Sequence, residues 1–61
     1  MELWIARDKD GELFLYQNKP TKGDYRFVCG YAYDDYIELD RDKFPEVTFE
    51  NSPQKVKIEL L

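Results

Sequence analysis

The sequence predicts an all-β protein: a single small antiparallel meander of five or six short strands, forming a curved sheet or small barrel over residues 1–61. Apolar and polar residues alternate with period two beside tight turn signals, as strands require. No segment has the apolar spacing of a long helix. At most one short helical turn is expected near residues 40–44, because Asp40 suits an N-cap position and Pro45 stops a helix. Alternatively, residues 38–44 form a true helix packed on a sheet.

The first predicted element is a hairpin centred on the turn Asp8–Gly11. A type I turn with Gly11 in the left-handed conformation aligns Arg7 with Leu13 and Trp4 with Tyr16. Alternation then gives two apolar faces, one with Leu3, Ile5, Leu13 and Leu15, the other with Trp4, Ala6, Phe14 and Tyr16. A sheet with one wet face alternates apolar and polar residues, so we expect both faces to be covered, by the rest of the chain or by a partner.

The remaining strands are predicted from shorter patterns. Residues 18–24 are predicted as a loop, because Pro20 and Gly23 interrupt regular structure. A strand follows over residues 25–33, with Gly30 as a bulge or bend. If this strand is continuous, one face is formed by Tyr25, Phe27, Cys29, Tyr31 and Tyr33. Residues 36–39 form a short strand with Ile37 and Leu39 inward. A second hairpin pairs residues 46–50 with 55–60, with one apolar face formed by Val47, Phe49, Val56, Ile58 and Leu60.

The residue inventory argues against catalysis and against a bound metal. The chain has no histidine and a single cysteine, Cys29, so the usual nitrogen and sulfur ligands of zinc are lacking. The only serine, Ser52, has no histidine base to activate it. The three glycines are scattered and form no phosphate loop. We therefore predict a protein that is not an enzyme and has no cofactor.

The acids Asp8, Asp10 and Glu12 raise the question of a calcium loop. Counting from Asp8, an EF-hand needs glycine at the sixth position and a glutamate at the twelfth. These positions hold Leu13 and Lys19, and Gly11 comes two positions early. The acids and the glycine are better explained as turn residues, which supply side-chain hydrogen bonds and a left-handed backbone.

Charge and hydropathy bear on partners and location. The formal net charge is −4, which disfavours general nucleic-acid binding by phosphate neutralisation. No apolar run approaches the roughly 20 residues that a membrane-spanning helix needs. One cysteine permits no disulfide within the chain, and there is no charged-then-apolar leader. We expect a cytoplasmic protein that contacts neither membrane nor nucleic acid.

A segment rich in tyrosines and acids is the best candidate for a partner-binding surface. Tyrosine supplies large contact area and a hydroxyl at low entropic cost, and acids beside tyrosines resemble the surface of a nucleic acid. The predicted contact residues are Tyr31, Tyr33, Asp34, Asp35, Tyr36 and Glu38. The alternative is that these tyrosines are half-buried sheet residues that the neighbouring acids keep soluble. The predicted function is a small non-enzymatic module that binds another protein.

A second hypothesis is self-association. If the second apolar face of the hairpin were covered by another copy, the protein would be a homodimeric β module. Trp4, Phe14 and Tyr16 would then be buried only in the oligomer.

The segments LWIARDKDGELFLY, near the beginning, and FPEVTFENSPQKVKIEL, near the end, resemble a group of very short proteins encoded by bacteria and by their phages and mobile elements. The resemblance covers about half the chain and does not include the tyrosine-rich segment. It implies a context rather than a residue role. Small phage-linked proteins often act by binding a host protein, and inhibition of a host defence nuclease is one such role.

Overall fold

The computed structural model describes residues 2–28 and 36–57, and within these ranges all regular structure is β. Six strands follow in chain order: β1 (Glu2–Arg7), β2 (Leu13–Tyr16), β3 (Thr21–Lys22), β4 (Phe27–Val28), β5 (Tyr36–Leu39) and β6 (Gln54–Lys57). Four of them form an antiparallel sheet in the order β5-β2-β1-β6, and β3 pairs with β4 in a second sheet. The predicted all-β fold is confirmed, but the sheets do not close into a barrel.

The predicted first hairpin is confirmed in register and turn chemistry. Trp4 pairs with Tyr16 and Arg7 with Leu13. Gly11 has a φ of 99°, and its N–H donates to the Asp8 carbonyl at 2.9 Å. Glycine adopts this left-handed conformation without the steric penalty of a Cβ, so a local sequence signal sets the register of the central strands.

Each face of the central hairpin carries a small core. The first core has Ile5, Leu13 and Val47 at its centre, with Leu15, Leu39 and Val56 packed around it. The second core has Ala6, Tyr16 and Phe27 at its centre, with Trp4, Phe14 and Phe49 packed around it. The chain itself therefore supplies cover to both faces, as the double apolar pattern requires.

The predicted second hairpin is wrong. Gln54–Lys57 pairs with β1 in the register Leu3 with Val56, and residues 46–50 form turns. Polar side chains stabilise these turns: the Thr48 N–H donates to Asn51 Oδ1 at 2.8 Å, and Asn51 Nδ2 donates to the Glu46 carbonyl at 2.9 Å. Side chains that bond nearby backbone in this way compete with strand pairing. Val47 and Phe49 consequently pack into opposite cores; Ile58 and Leu60 lie outside the described residues.

Three smaller predictions also need correction. Residues 21 and 22, predicted as loop, pair with β4 as β3, and the connecting turn has the Gly23 N–H donating to the Arg26 carbonyl at 2.8 Å. Tyr25 does not share a face with Phe27, because Tyr25 lies in this turn and is exposed. The helix alternative for residues 38–44 is wrong, since Glu38 and Leu39 belong to β5.

Residues 40–43 form a turn instead of a helix. Asp40 Oδ1 accepts from the Asp42 N–H at 3.0 Å, and the Asp40 carbonyl accepts from the Lys43 N–H at 2.9 Å. Asp40 therefore stabilises a tight turn rather than the short helical turn expected near residues 40–44, and Pro45 follows. Within residues 2–28 and 36–57, no helix has the length and apolar character needed to cross a membrane.

Candidate protein-interaction edge

β5 is an edge strand of the four-stranded sheet. It pairs with β2 in the register Leu13 with Leu39 and Tyr16 with Tyr36. Across the described ranges, no strand pairs with its other side. An unpaired strand edge presents N–H and C=O groups to solvent and is a template for a strand from another chain.

Large apolar side chains are exposed on both faces of β5. The Tyr36 side chain is 55% exposed, and the Ile37 side chain on the opposite face is 57% exposed. Ile37, predicted to point inward, does lie on the face of the first core, opposite Leu15. It remains exposed because β5 is outermost in this part of the sheet, so no further described strand covers it.

Tyr36 belongs to an aromatic cluster that extends over β2. Its ring lies 5.7 Å from that of Phe14 in an edge-to-face arrangement and 5.6 Å from that of Tyr16. Such pairs contribute about 0.5–1.5 kcal/mol beyond area burial. The Tyr36 ring therefore contacts two aromatic rings of β2, while Tyr36 as a whole residue remains about half exposed.

The end of β5 is acidic. An open depression of about 410 Å³ lies there, lined by Glu12, Glu38, Leu39, Asp40 and Arg41. The Arg41 guanidinium donates to the Asp10 carbonyl at 2.6 Å and thereby fixes the turn of the first hairpin to the turn after β5. Three carboxylates against one guanidinium give this depression a negative balance.

The opposite edge of the sheet, β6, has a different character. Lys55 and Lys57 alternate with half-buried Val56. The Lys55 ammonium lies 5.5 Å from the centre of the Trp4 ring, and the Lys19 ammonium lies 5.4 Å from it. Cations over the ring faces cover the tryptophan without removing charge from the surface.

The predicted site residues are distributed unevenly. Tyr36 and Glu38 lie on the β5 edge, both exposed, whereas Tyr31, Tyr33, Asp34 and Asp35 lie outside the described residues. Among the residues predicted for self-association, Tyr16 is 4% exposed within the single chain, while Trp4 and Phe14 are half-buried. Burial of Tyr16 therefore needs no second copy.

The acidic residues of the first turn lie close together, and two of them accept hydrogen bonds from backbone N–H groups. Carboxylate oxygens of Asp8, Asp10 and Glu12 all lie within 4.8 Å of one another, which is near enough to hold a cation. Asp10 Oδ1 accepts from the Glu12 N–H at 3.0 Å, and Asp8 Oδ1 accepts from the Phe27 N–H at 2.8 Å. These hydrogen bonds give the Asp8 and Asp10 carboxylates a structural role, in agreement with the turn interpretation.

Asp8 is the described acid whose ionisation the fold clearly alters. Burial raises the pKa of the Asp8 carboxyl, and the nearby Asp10 charge raises it further, while the Phe27 N–H and Arg26 act in the opposite direction. The carboxyl links the first hairpin to β4, because its acceptor oxygen holds the strand that carries Phe27 into the second core.

Arg7 is a residue that the sequence patterns do not single out. Its guanidinium donates to five backbone carbonyls, at 2.6–3.1 Å: those of Gly11, Arg41, Lys43, Phe44 and Val47. The Arg7 N–H also donates to Ser52 Oγ at 3.0 Å, and Ser52 Oγ donates to the Thr48 carbonyl. Arg7 thus fixes both the chain that leaves β5 and the chain that enters β6.

Phe44 adopts the conformation that this arrangement imposes. Its φ is 51°, in the left-handed region that non-glycine residues rarely occupy, and its ring is exposed. The Phe44 carbonyl accepts from both Arg7 and the Val47 N–H. These hydrogen bonds offset the backbone strain and turn the chain back over the first core.

Comparison of the chain with protein-family models, with curated proteins and with solved structures finds no match.

Proposed function

We propose that this chain is a small non-enzymatic interaction module that binds another protein by accepting one of its strands at β5. The observation that carries the proposal is the β5 edge, with Tyr36 and Ile37 exposed on its two faces. In strand addition, main-chain hydrogen bonds supply affinity and side chains on alternating faces supply specificity. β5 offers both within four residues.

The residue inventory supports a binding role over a catalytic one. The chain has no histidine, and the carboxylates of Asp8 and Asp10 in the first turn accept hydrogen bonds from backbone N–H groups. The resemblance to short bacterial and phage-linked proteins favours a host protein as the partner. A cytoplasmic setting is part of the proposal, because a single cysteine permits no disulfide within the chain.

The test is capture from a bacterial lysate with two matched double variants. Y36S/I37S removes both exposed apolar side chains of β5, and Y25S/V28S removes an exposed tyrosine and an exposed aliphatic residue away from that edge. Captured proteins are quantified by mass spectrometry, and thermal unfolding verifies that all three proteins are folded. We expect Y36S/I37S to lower capture about tenfold or more, since hot-spot side chains carry most binding energy.

The control variant defines the outcome that contradicts the proposal. Y25S/V28S should capture the same protein at the wild-type level. Equal capture by Y36S/I37S, or equal loss with both variants, would show that β5 is not the binding edge.

A further inference from the structure

Resting on the proposed function, we infer that the β5 edge takes a particular kind of strand: an extended segment of another protein in which Lys or Arg alternates with apolar residues. Alternation along β5 places Tyr36 and Glu38 on one face and Ile37 and Leu39 on the other. A strand added beside it has the same period, so its side chains fall into two rows that face chemically different surfaces. The two rows therefore specify two residue classes.

On the added strand, the side chains that lie beside Tyr36 and Glu38 face a negatively charged surface. Glu38, Asp40 and Glu12 line the depression at this end of β5, and the Arg41 guanidinium there is held by the Asp10 carbonyl. Cross-strand pairs of opposite charge stabilise the pairing of two strands, and like charges directly opposite destabilise it. A basic side chain also gains from the exposed face of the Tyr36 ring through a cation–π contact. This row selects lysine or arginine.

The row beside Ile37 and Leu39 meets apolar surface. Ile37 is exposed and lies next to Leu15, and half-buried Leu39 packs against the first core. An aliphatic side chain on the incoming strand would extend that core by one more strand. This row therefore selects valine, isoleucine or leucine.

A second copy of this chain is the main rival occupant. Pairing of β5 with another β5 brings Glu38 and Asp40 of both copies to one short edge, which charge repulsion opposes. β6 of a second copy has the right alternation, with Val56 between Lys55 and Lys57. A β5–β6 contact is head-to-tail, however, so it gives a ring or an open chain of copies rather than a two-fold dimer.

The test uses two cyclised hairpin peptides as probes, because cyclisation removes much of the ordering cost of a strand. The outer strand of one reads Lys-Val-Lys-Val-Lys, and that of the other reads Glu-Val-Glu-Val-Glu. Each is titrated into the ¹⁵N-labelled full chain, and amide shifts give the affinity and the site. We expect the lysine probe to shift the amides of Tyr36–Leu39 and to bind about tenfold or more tightly than the glutamate probe.

Charge-reversal variants make the test specific. Glu38→Lys should invert the preference between the two probes, whereas Glu46→Lys, an exposed acid in the turn segment, should preserve it. Raising sodium chloride from about 50 to about 500 mM should weaken binding of the lysine probe, since exposed charge pairs are screened. Equal binding of both probes, or shifts outside β5, would overturn the inference.

Three further outcomes bear on this inference, and the first and third separate it from the proposed function. If a lysate protein is captured through Tyr36 and Ile37 but its binding is unaffected by Glu38→Lys, the function stands and the basic-strand inference falls. Sedimentation of the chain alone tests for a second copy. If its average mass rises with concentration and the lysine probe prevents this rise, the occupant of β5 is a second copy and the inference is overturned. If the lysine probe binds β5 but no lysate protein is captured through Tyr36 and Ile37, the strand preference stands and the proposed function falls.

Discussion

The two edges of the four-stranded sheet differ in how they meet solvent. β6 alternates Lys55 and Lys57 with half-buried Val56, and Lys55 lies over the Trp4 ring. β5 exposes Tyr36 and Ile37, with Glu38 as its single charged residue. Lysines on an edge strand oppose pairing with another chain, because adding a strand would desolvate or crowd their charges. One edge is protected and the other is not.

Small size alone does not explain this difference between the two edges. A chain of 61 residues has little buried surface and depends on a limited core, so many of its apolar groups are bound to remain accessible. If small size were the cause, β5 and β6 would expose large apolar side chains to a similar extent. The asymmetry is what supports a binding role for β5.

The largest effect is expected from Arg7→Lys, which tests whether the two edges depend on one side chain. A lysine ammonium has three donors and no planar fork, so it leaves at least two of the five carbonyls without their partner. We expect a loss of about 3 kcal/mol in the free energy of unfolding, measured in urea. Hydrogen exchange should show the amides of β5 and β6 losing protection together.

Arg41→Lys is the control for this prediction. The Arg41 guanidinium makes one exposed hydrogen bond, to the Asp10 carbonyl, so its loss should cost less than about 1 kcal/mol. Comparable destabilisation by the two variants would mean that the number of carbonyl contacts does not set the contribution of each arginine to stability.

An intermediate effect is expected from removing the lysines of β6. The double variant K55V/K57V gives this edge the apolar character of β5, so copies should associate through it. We expect the weight-average mass at about 100 μM, measured by light scattering, to at least double relative to the wild-type chain. This result would show that charge protects β6.

A double variant with the same loss of charge controls for net charge. K9V/K43V removes two exposed lysines that lie in turns rather than on an edge strand. It should leave the mass of the wild-type chain unchanged. If both double variants associate equally, the lysines act through the solubility of the whole chain. The conclusion that Lys55 and Lys57 specifically protect the β6 edge would then be wrong.

The smallest effect is expected away from both edges, from Asp8→Asn. The asparagine Oδ1 can still accept from the Phe27 N–H, while the buried charge is removed. Because the pKa of the Asp8 carboxyl is raised in the folded protein, the folded state binds this proton more tightly than the unfolded state. The stability from protonated Asp8 is therefore present below the unfolded pKa and is lost as pH rises through the folded value.

Urea unfolding at about pH 3 and about pH 7 measures this contribution. The variant should gain stability relative to wild type on going from the lower pH to the higher one. Protection of β5 and β6 amides should be unchanged. A relative loss at the higher pH would mean that the Asp8 charge is favourable in the fold, through Arg26 or the Phe27 N–H.

The sequence was informative where structure is local. The turn residues Asp8–Gly11 fix the register of β1 and β2, and period-two alternation places both apolar faces correctly. β5 was also identified, including its Tyr36 and Glu38. These features depend on residues within a few positions of one another, where turn geometry and side-chain period leave few alternatives.

The errors arise where distant segments compete for the same partner. β6 pairs with β1 rather than with residues 46–50, because Thr48 and Asn51 bond nearby backbone and end any strand there. The exposure of Ile37 depends on the order of strands in the sheet, which alternation does not encode. The sequence does not predict the role of Arg7, because its acceptors are backbone carbonyls. Every residue has one, so the residue types do not show which carbonyls an arginine will contact.

The choice of carbonyl acceptors has a consequence for how this protein can change. Every amino acid has a backbone carbonyl, so the side chains at positions 41, 43 and 44 are not specified by their contact with Arg7. A loop held in this way keeps its course while its outward residues are exchanged. The outward residues of this segment that make no side-chain contact of their own can therefore be exchanged, by mutation or by design, while Arg7, Asp40 and Arg41 are retained.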